Sequence, residues 1–519
     1  MKKLSIFGFA LFFSIMLSHA QSVYLPYSYQ LDQKFNPVIY SVKSPLHTSL
    51  KPFLVDSTLA TLYNAIMNRG VDSSRRTWIA RKLFNEHVFD VKTKKYTFYA
   101  DYLPDLTAGR DFSDKIKTYL NTRGFQVGGT IGSKFSFYSS GFENSARFAG
   151  YYSDVVNKIA FVPGQAYSRS YSGLTQGSSD WSYATAIVSY TPIRQLNITM
   201  GTDKTFIGDG YRSLLLSDFA ANYPLLRLTA NLGNLQYMLM WANLEDINLP
   251  KFDTFGSNRR KWAAFHYLDW NITNRISVGF FHAVIAQEAD DNGNFHGFDA
   301  NLVNPLYFSG KIGPAMQPDN ILAGFTAKYK ILDKAALYGQ WLMDNTNSDG
   351  YQLGLRGADL LGVKGLNYLA EYNSVKPYTY MSPRIITNYT DYSQPLGDPL
   401  GANFREAIAI LNYSTGNFDF MGQVNYARYG RSPAGSNYGD DLTYPLSSAS
   451  ISNHSIGQGV PTTLTYAEGT ASYLINPKYN LRFELGGLIR NEKNDVSSRK
   501  TVQVTFGLRS TFRGFYHDF

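Results

Sequence analysis

The chain has 519 residues, with 39 Tyr, 35 Phe and 6 Trp, 43 Gly and no Cys, and only 17% of its residues are charged. This composition excludes a disordered chain, which is poor in aromatic residues and rich in charge. It also excludes scaffolds built on disulfides or cysteine-bound zinc. Aromatic residues and Gly with little charge are typical of a membrane β-barrel, which needs aromatic girdles and one polar face.

The N-terminus predicts export. Lys2 and Lys3 precede the mostly apolar stretch Leu4–Leu17, and Ser18-His19-Ala20 ends in a small residue. These features predict a signal peptide over residues 1–20, cleaved after Ala20. The alternative is a retained anchor helix, which is disfavoured because the apolar stretch is short and polar sequence follows directly.

Residues 21–95 differ from the rest of the chain. Four prolines punctuate an extended lead, and Asp56-Ser57-Thr58 then predicts the cap of a helix that ends near Gly70. Asp72-Ser73-Ser74 predicts the cap of a second helix, with apolar residues from Trp78 to Phe84 on one face. We therefore expect an extended lead and a periplasmic helical pair that packs against one end of a barrel.

From Tyr96 onward the apolar pattern has a period of two. The alternation is clear in Leu481–Arg490, Thr501–Arg513 and Phe418–Tyr426. Residues 96–519 are enough for roughly 16–18 strands at about 10 residues per strand plus turns. The predicted fold is all-β, a transmembrane antiparallel β-barrel of 18 strands, and Phe519 fits the terminal aromatic residue of a last strand.

Four segments are too long and irregular to be strands or tight turns. They are predicted to be long loops that face outward or fold into the lumen. The four loops are Gly208–Pro224, Gln287–Gln317, Lys376–Asn403 and Gly430–Pro461.

These loops and the strands between them contain a distinctive series of short sequence segments. It runs in order through Gly208-Asp209-Gly210-Tyr211-Arg212, Asn301-Leu302-Val303-Asn304-Pro305, Glu371-Tyr372-Asn373, Lys376-Pro377-Tyr378-Thr379-Tyr380 and Pro395–Phe404. In this order the segments resemble the Wzi-like capsule-assembly barrels, especially the branch named after the gliding-motility protein RemB. The resemblance covers most of residues 56–430. It implies an 18-stranded outer-membrane barrel with a periplasmic helical element, which holds capsular polysaccharide or supports gliding.

The loops also supply the candidate ligand-binding residues. Sugar recognition combines flat aromatic faces with Asp, Asn and Arg side chains that form hydrogen bonds. We hypothesise that the loops Gly208–Asp218 and Gly397–Phe404 meet in or over the lumen and form a binding surface. The alternative is a purely structural constriction in which Arg212 pairs with Asp209 or Asp218. The candidate residues are Asp209, Tyr211, Arg212, Asp218, Asp398 and Arg405.

No catalytic or metal-binding pattern stands out. The sequence has no Gly-x-Ser-x-Gly motif and no compact Ser–His pair. His266 and His282 are expected to approach each other on adjacent strands, but no third ligand can be assigned. The sequence thus predicts a non-enzymatic protein with no cofactor. A substrate-specific porin is the alternative function, and an outer-membrane hydrolase is a weaker one.

The expected location is the outer membrane of a Gram-negative cell. Removal of the two lysines of the signal peptide lowers the formal charge from +9 to +7. This mild, diffuse excess suits acidic polysaccharide or lipid phosphates and does not indicate nucleic-acid binding. The expected partners are outer-membrane lipid and surface polysaccharide, and motility, adhesion or secretion machinery is an alternative.

Overall fold

The computed structural model describes residues 23–55, 57–169, 177–252, 256, 258–296, 299–304, 320–344, 348–446 and 455–519. The predicted signal peptide lies outside the described residues, as do parts of two predicted loops, at 305–319 and 447–454. Within the described ranges, no helix is long and apolar enough to span a membrane.

Eighteen long strands of the described chain form a closed antiparallel barrel, which confirms the predicted fold class. In chain order they are β1 (Tyr96–Asp111), β2 (Ile116–Ile131), β3 (Phe135–Arg147), β4 (Ser179–Ile193), β5 (Leu196–Asp203), β6 (Tyr223–Asn231), β7 (Leu235–Asp246), β8 (Arg259–Asn271), β9 (Ile276–Gln287), β10 (Asn320–Leu332), β11 (Ala335–Asp344), β12 (Asp349–Gly357), β13 (Leu366–Val375), β14 (Phe404–Thr415), β15 (Phe418–Arg431), β16 (Val460–Asn476), β17 (Leu481–Lys493) and β18 (Ser498–Arg509). The last strand pairs with the first, Leu508 opposite Leu106, and this pairing closes the barrel.

The two faces of the barrel wall differ as the sequence predicts. In β17, Leu485 and Ile489 point outward and are 57% and 51% exposed, whereas Arg490 is buried inside the barrel. In β18, Phe506 is exposed and Thr501 is buried. An apolar outer face and a polar inner face are what a barrel in a lipid bilayer requires, because successive residues of a strand alternate between them.

The two ends of the barrel also differ. At one end, strands are joined by short connections such as those between β2 and β3 or between β14 and β15, and we call it the turn end. The other end carries the long segments that follow β3, β5, β13 and β15, and we call it the loop end. In outer-membrane barrels the short turns face the periplasm, so the turn end is taken as the periplasmic one.

The helices lie before β1 and after β3. They are α1 (Tyr29–Asp32), α2 (Asn36–Ile39), α3 (Ser57–Met67), α4 (Trp78–Phe84) and α5 (Gly150–Ile159), with 3₁₀ turns at Gln33–Phe35, Ala300–Val303, Leu360–Gly362, Ile385–Thr387 and Pro477–Tyr479. Short strands outside the eighteen are Val23–Tyr24, Leu50–Lys51, Leu54–Val55, Phe89–Lys92, Phe206–Ile207, Thr390–Asp391 and Gln394–Pro395.

The predicted helical pair corresponds to α3 and α4, but the predicted cap of α4 is wrong. Thr77 caps this helix by accepting a hydrogen bond from the Ala80 amide at 3.3 Å. The Asp72 carboxylate instead accepts from the Ser74 amide at 2.9 Å, within a separate turn. Both residue types satisfy free amides equally well at a turn and at a helix start, which is why the sequence alone misplaced the boundary.

The lead, residues 23–55 of the described chain, lies largely inside the lumen, a position that the sequence did not predict. The hydroxyl of Tyr24 donates to the Asp203 carboxylate at 2.7 Å, at the end of β5. The guanidinium of Arg356, on the inner face of β12, donates to the Asn36 amide oxygen at 2.7 Å. The helical pair lies at the turn end, where the Lys478 ammonium donates to Asn68 of the segment after α3 at 2.8 Å. Lead residues 41–47 also reach the turns at this end.

The end of the chain departs from the expected last strand. The strand β18 stops at Arg509, and residues 510–519, which we call the tail, turn back into the lumen. The ring of Phe519 lies 5.4 Å from that of Tyr152 and 6.1 Å from that of Phe219, inside the barrel. The assignment of Phe519 to a membrane strand is therefore wrong, because the alternation already ends at β18.

Candidate functional site

Two segments from the loop end enter the lumen and meet there. Residues 204–222 connect β5 to β6, and residues 376–403 connect β13 to β14. The Ser217 amide donates to the Leu396 carbonyl at 2.7 Å, and the Tyr380 hydroxyl donates to the Leu214 carbonyl at 2.7 Å. The contact that we expected between these loops is present, and it lies within the lumen.

Gly210 lets the first loop pass close to the barrel wall. A Cβ atom at this position would lie 2.3 Å from a carboxylate oxygen of Glu371 on β13. Because glycine has no side chain, Glu371 can instead accept hydrogen bonds from the amides of Tyr211 at 2.9 Å and Arg212 at 3.1 Å. The loop is thus fixed to the wall by its backbone.

Arg212 is buried at the centre of an ion-pair cluster. Its guanidinium donates to both carboxylate oxygens of Glu406 on β14 at 3.2 Å, and to the Asp518 carboxylate of the tail at 3.0 Å. Asp398 of the second loop lies 4.0 Å away, and all four side chains are at most 2% exposed. Arg212 therefore joins the wall, both loops and the tail, and neither Asp209 nor Asp218 is its ion-pair partner.

The crowding of acidic groups around Arg212 changes the pKa of Asp398. Its side chain is fully buried and shares the single guanidinium of Arg212 with two other carboxylates. Burial and the neighbouring Glu406 raise the pKa of Asp398 well above its usual range, although Arg212 opposes the shift. The raised pKa reflects the crowding of three buried acids around one guanidinium.

Asp209 holds the lead rather than a ligand. Its carboxylate accepts hydrogen bonds from Tyr40 at 2.8 Å, Thr48 at 2.5 Å and Ser49 at 2.8 Å. Burial acts to raise the pKa of Asp209, but Lys328 and Lys51 outweigh it, so the pKa lies below its usual range. The carboxylate thus anchors the lead as a charged group.

The remaining three candidate residues lie in two different places. Tyr211 and Asp218 both line a cavity in the lumen. Arg405, on β14, lies on the outer face of the wall, since it is exposed while its neighbours Phe404 and Glu406 are buried. The structure therefore brings Asp209, Tyr211, Arg212, Asp218 and Asp398 into the lumen and leaves Arg405 outside.

The cavity has a volume of ≈ 300 Å³ and lies between the lead, the first loop, the tail and the wall. Its aromatic lining includes Tyr211, which packs edge-to-face against Tyr29 of the lead at 5.0 Å between ring centroids and lies 6.1 Å from Tyr516 of the tail. The Tyr516 hydroxyl donates to Asp218 at 2.5 Å. Aromatic faces beside carboxylates and hydroxyls are the chemistry that recognises sugars.

Arg513 of the tail is the least satisfied cation that lines this cavity. Its guanidinium lies 4.2 Å from the ring centre of Phe142 and 4.9 Å from that of Phe515, and it donates to Asn144 at 2.9 Å. Among the described residues, its Nε and Nη1 atoms have no hydrogen-bond partner and no carboxylate pairs with it. Burial lowers the pKa of Arg513 to about 10.

Sequence reasoning missed four of the residues that organise the lumen: Arg356, Glu371, Glu406 and Asp518. Three of them are charged residues at inward positions of strands, a signal that alternation could have supplied. Glu371 also belongs to one of the sequence segments on which the family resemblance rests. Asp518 was hidden because the tail was assigned to a strand.

The expected approach of His266 and His282 is confirmed. They are paired across β8 and β9 with ring centroids 6.0 Å apart, and His266 is also 2.7 Å from the Tyr237 hydroxyl. In the described parts of the chain, no group of three or more His, Asp or Glu residues is placed to hold a metal ion.

Comparison with known proteins supports the fold. No protein-family profile and no curated relative match this chain. Wzi of Escherichia coli, an outer-membrane protein of group 1 capsule assembly and a carbohydrate-binding β-barrel, is 12% identical, with a TM-score of 0.54 over 94% of this chain and 98% of that one. OprD of Pseudomonas aeruginosa is 11% identical, with a TM-score of 0.43 over 81% and 96% of the two chains. The fold that we expected from the Wzi-like resemblance is confirmed, and the chain has the fold of the Wzi outer-membrane β-barrel.

Proposed function

We propose that this protein is a non-enzymatic outer-membrane barrel that binds cell-surface polysaccharide, and so supports capsule attachment or gliding motility. The observation that carries the proposal is the filled lumen. The lead, two loops and the tail occupy the space that an open pore would leave to water. Arg212 and Arg356 join them to the wall, and Asp209 joins the first loop to the lead.

The chemistry of the central cavity supports a saccharide ligand. Tyr211 presents an aromatic ring, Asp218 a carboxylate, and Arg513 a guanidinium that forms no direct ion pair within the described chain. A guanidinium can pair with a uronic-acid carboxylate through two parallel hydrogen bonds. The proposed ligand is therefore an acidic polysaccharide segment, bound on the cavity side of the first loop.

Direct binding tests this proposal. Purified barrel is titrated with oligosaccharides from the surface polysaccharide of the producing strain, and Tyr211→Ala and Asp218→Asn are expected to weaken binding at least tenfold. Arg405→Ala is the matched control, because this side chain lies on the outer face, and it should bind like wild type. Heat-modifiable migration of each variant checks that the barrel has assembled.

The possible outcomes test the polysaccharide-binding function and the assignment of the binding site to the cavity separately. If wild type and all variants bind equally, the polysaccharide function stands and the cavity assignment is wrong. If wild type does not bind, the proposed function fails. A gene deletion scored for capsule staining, gliding and secretion then distinguishes a capsule role from a role with motility, adhesion or secretion machinery.

A substrate-specific channel is the second candidate function. The cavity favours it, since part of the lumen remains open between the lead, the tail and the wall on the side of Tyr479 and Lys478 at the turn end. A channel and a binding protein differ in whether solute passes the ion-pair cluster around Arg212, and this difference is measurable as conductance.

A further inference from the structure

Residues 72–95, which we call the foot, connect α3 to β1 and include α4. The foot is attached to the barrel by polar contacts. The Asn476 side chain at the turn end donates to the carbonyls of Lys82 at 3.1 Å and Glu86 at 2.9 Å, and the Val88 amide donates to Asp101 at 2.9 Å. These contacts use the backbone of the foot and leave the side chains of Trp78, Ile79 and Leu83 exposed.

The apolar side chains of the foot face away from the protein. Trp78, Ile79 and Leu83 of α4 are 65%, 70% and 44% exposed, and Val88 and Phe89 are 43% and 55% exposed. No residue of α4 is buried. A contiguous patch of large apolar side chains is costly in water and marks a surface that contacts another apolar phase.

This patch continues the lipid-facing surface of the barrel. In the short strand Phe89–Lys92, Phe89 lies opposite Ala100 of β1, and opposed residues of antiparallel strands share one face of the sheet. Even-numbered residues of β1 such as Tyr102 and Leu106 point outward and are 56% and 44% exposed. Phe89 thus lies on the same outer face, and the foot extends this face beyond the turn end.

The charge of the foot complements a phospholipid surface. Seven of its residues are Lys or Arg and three are Asp or Glu. Arg76 and Arg81 are exposed beside Trp78 and Ile79, and Lys94 and Lys95 are exposed in the turn before β1. Apolar residues bordered by basic residues on a short helix are the pattern of an interfacial element, which contacts acyl chains and anionic headgroups together.

We propose that the foot lies in the periplasmic leaflet of the outer membrane and binds anionic phospholipid. Trp78, Ile79 and Leu83 contact acyl chains, while Arg76 and Arg81 contact phosphate groups. This membrane-binding surface is separate from polysaccharide binding. It fixes the height of the helical pair relative to the bilayer, and through Asn476 it fixes the turn end of β16.

The absence of cysteine allows a clean test by single labelling. The fluorophore NBD is attached to Ile79→Cys, and to Ala65→Cys as control, because Ala65 is an exposed residue of α3 outside the foot. The full-length barrel is placed in phosphatidylcholine vesicles with or without phosphatidylglycerol. The label at position 79 is expected to be quenched by 5-doxyl phosphatidylcholine at least twofold more than the label at position 65.

Charge removal tests the headgroup contact. Adding Arg76→Gln and Arg81→Gln to Ile79→Cys should reduce the gain in lipid quenching that phosphatidylglycerol produces by at least half. Equal lipid quenching and equal iodide quenching at positions 79 and 65 would overturn the proposal. Protection of position 79 from iodide without lipid quenching would also overturn it, because a protein surface would then cover the foot. No effect of the two Arg→Gln changes would remove the anionic-lipid part.

Discussion

At the scale of single residues, the lumen is organised by groups whose charges are satisfied inside the protein. Arg212 donates hydrogen bonds to Glu406 and Asp518. Its chemistry, a planar donor for carboxylates, is the one that we expected from the sequence. The carboxylates that it meets belong to the protein itself, so its role in this structure is to join the two loops and the tail to the wall.

Arg212→Gln should therefore destabilise the barrel. Loss of the guanidinium leaves two or three buried acidic groups without compensation, which costs about 3–5 kcal/mol. The measurement is the temperature at which the folded band is lost in heat-modifiable migration. Arg405→Gln, an exposed neighbour in sequence of Glu406, should change stability by less than about 0.5 kcal/mol. Equal effects of the two variants would contradict the assignment of Arg212 to the cluster.

Gly210→Ala should also destabilise the barrel, for a steric reason. Its new Cβ would lie 2.3 Å from the Glu371 carboxylate, and the loop or the carboxylate must move, at a cost of about 1–3 kcal/mol. Gly422→Ala is the control, because nothing lies within 4 Å of a Cβ at that position. The free energy of unfolding in urea compares the two, and a loss of stability only at Gly422 would refute the close approach at Gly210.

At the scale of elements, the strands and the meeting of two loops in the lumen could be predicted from the sequence, and the positions of the lead and the tail could not. The alternation of apolar and polar residues in β18, such as Phe506 and Gln503, indicates two faces. It does so because one face contacts lipid and the other faces the lumen. The lead and the tail have no comparable signal. A polar, aromatic segment such as Gly514–Phe519 has the same composition whether it lies in a barrel lumen or in the periplasm. Its placement depends on contacts that are distant in sequence, such as that between Asp518 and Arg212.

The face assignment of β18 gives a direct test. Phe506→Arg places a charge on the lipid face and should impair assembly, at a cost of about 2–4 kcal/mol near the bilayer midplane. Gln503→Arg lies on the other face, where the Gln503 side chain donates to Thr118 at 3.1 Å, and should be tolerated. The yield of folded barrel in the outer membrane measures both, and similar yields would mean that the faces are misassigned.

The position of the lead is testable by proteolysis. Lys34 and Lys51 lie inside the barrel, where Lys34 pairs with Asp419 at 3.0 Å and Lys51 is fully buried. Trypsin should leave the Lys34–Phe35 bond intact in the folded barrel in vesicles and should cut first at exposed sites such as Lys251, in the segment after β7. Mass spectrometry of the fragments identifies the cuts. Early cleavage after Lys34 would place the lead outside the lumen.

At the scale of the whole molecule, a closed wall encloses segments from four parts of the chain. An empty 18-stranded barrel would conduct ions steadily, because its lumen is wide enough for water. In this protein the lumen instead contains the lead, the two loops and the tail. The overall fold followed from composition and period, but the filling of the lumen decides what the fold can do.

Planar-bilayer recording should show little or no steady conductance for wild type. Arg212→Ala should raise the frequency or size of openings, because the cluster that joins the loops and the tail to the wall is lost. Arg405→Ala serves as the matched control and should behave like wild type. A large, stable conductance in wild type would favour the substrate-specific channel over the polysaccharide-binding barrel.

The segments that fill the lumen are spread along the chain, and this spread sets an order of assembly. They come from before β1, from between β5 and β6 and between β13 and β14, and from after β18. The pairing of Arg212 with Glu406 and Asp518 requires β5, β14 and β18 to have been synthesised already. The interior can therefore be completed only as the wall closes around it. Unlike a separate plug domain, which can leave its barrel as one body, this interior is covalently joined to the wall at six points, two for each loop and one each for the lead and the tail. It must therefore rearrange segment by segment to open.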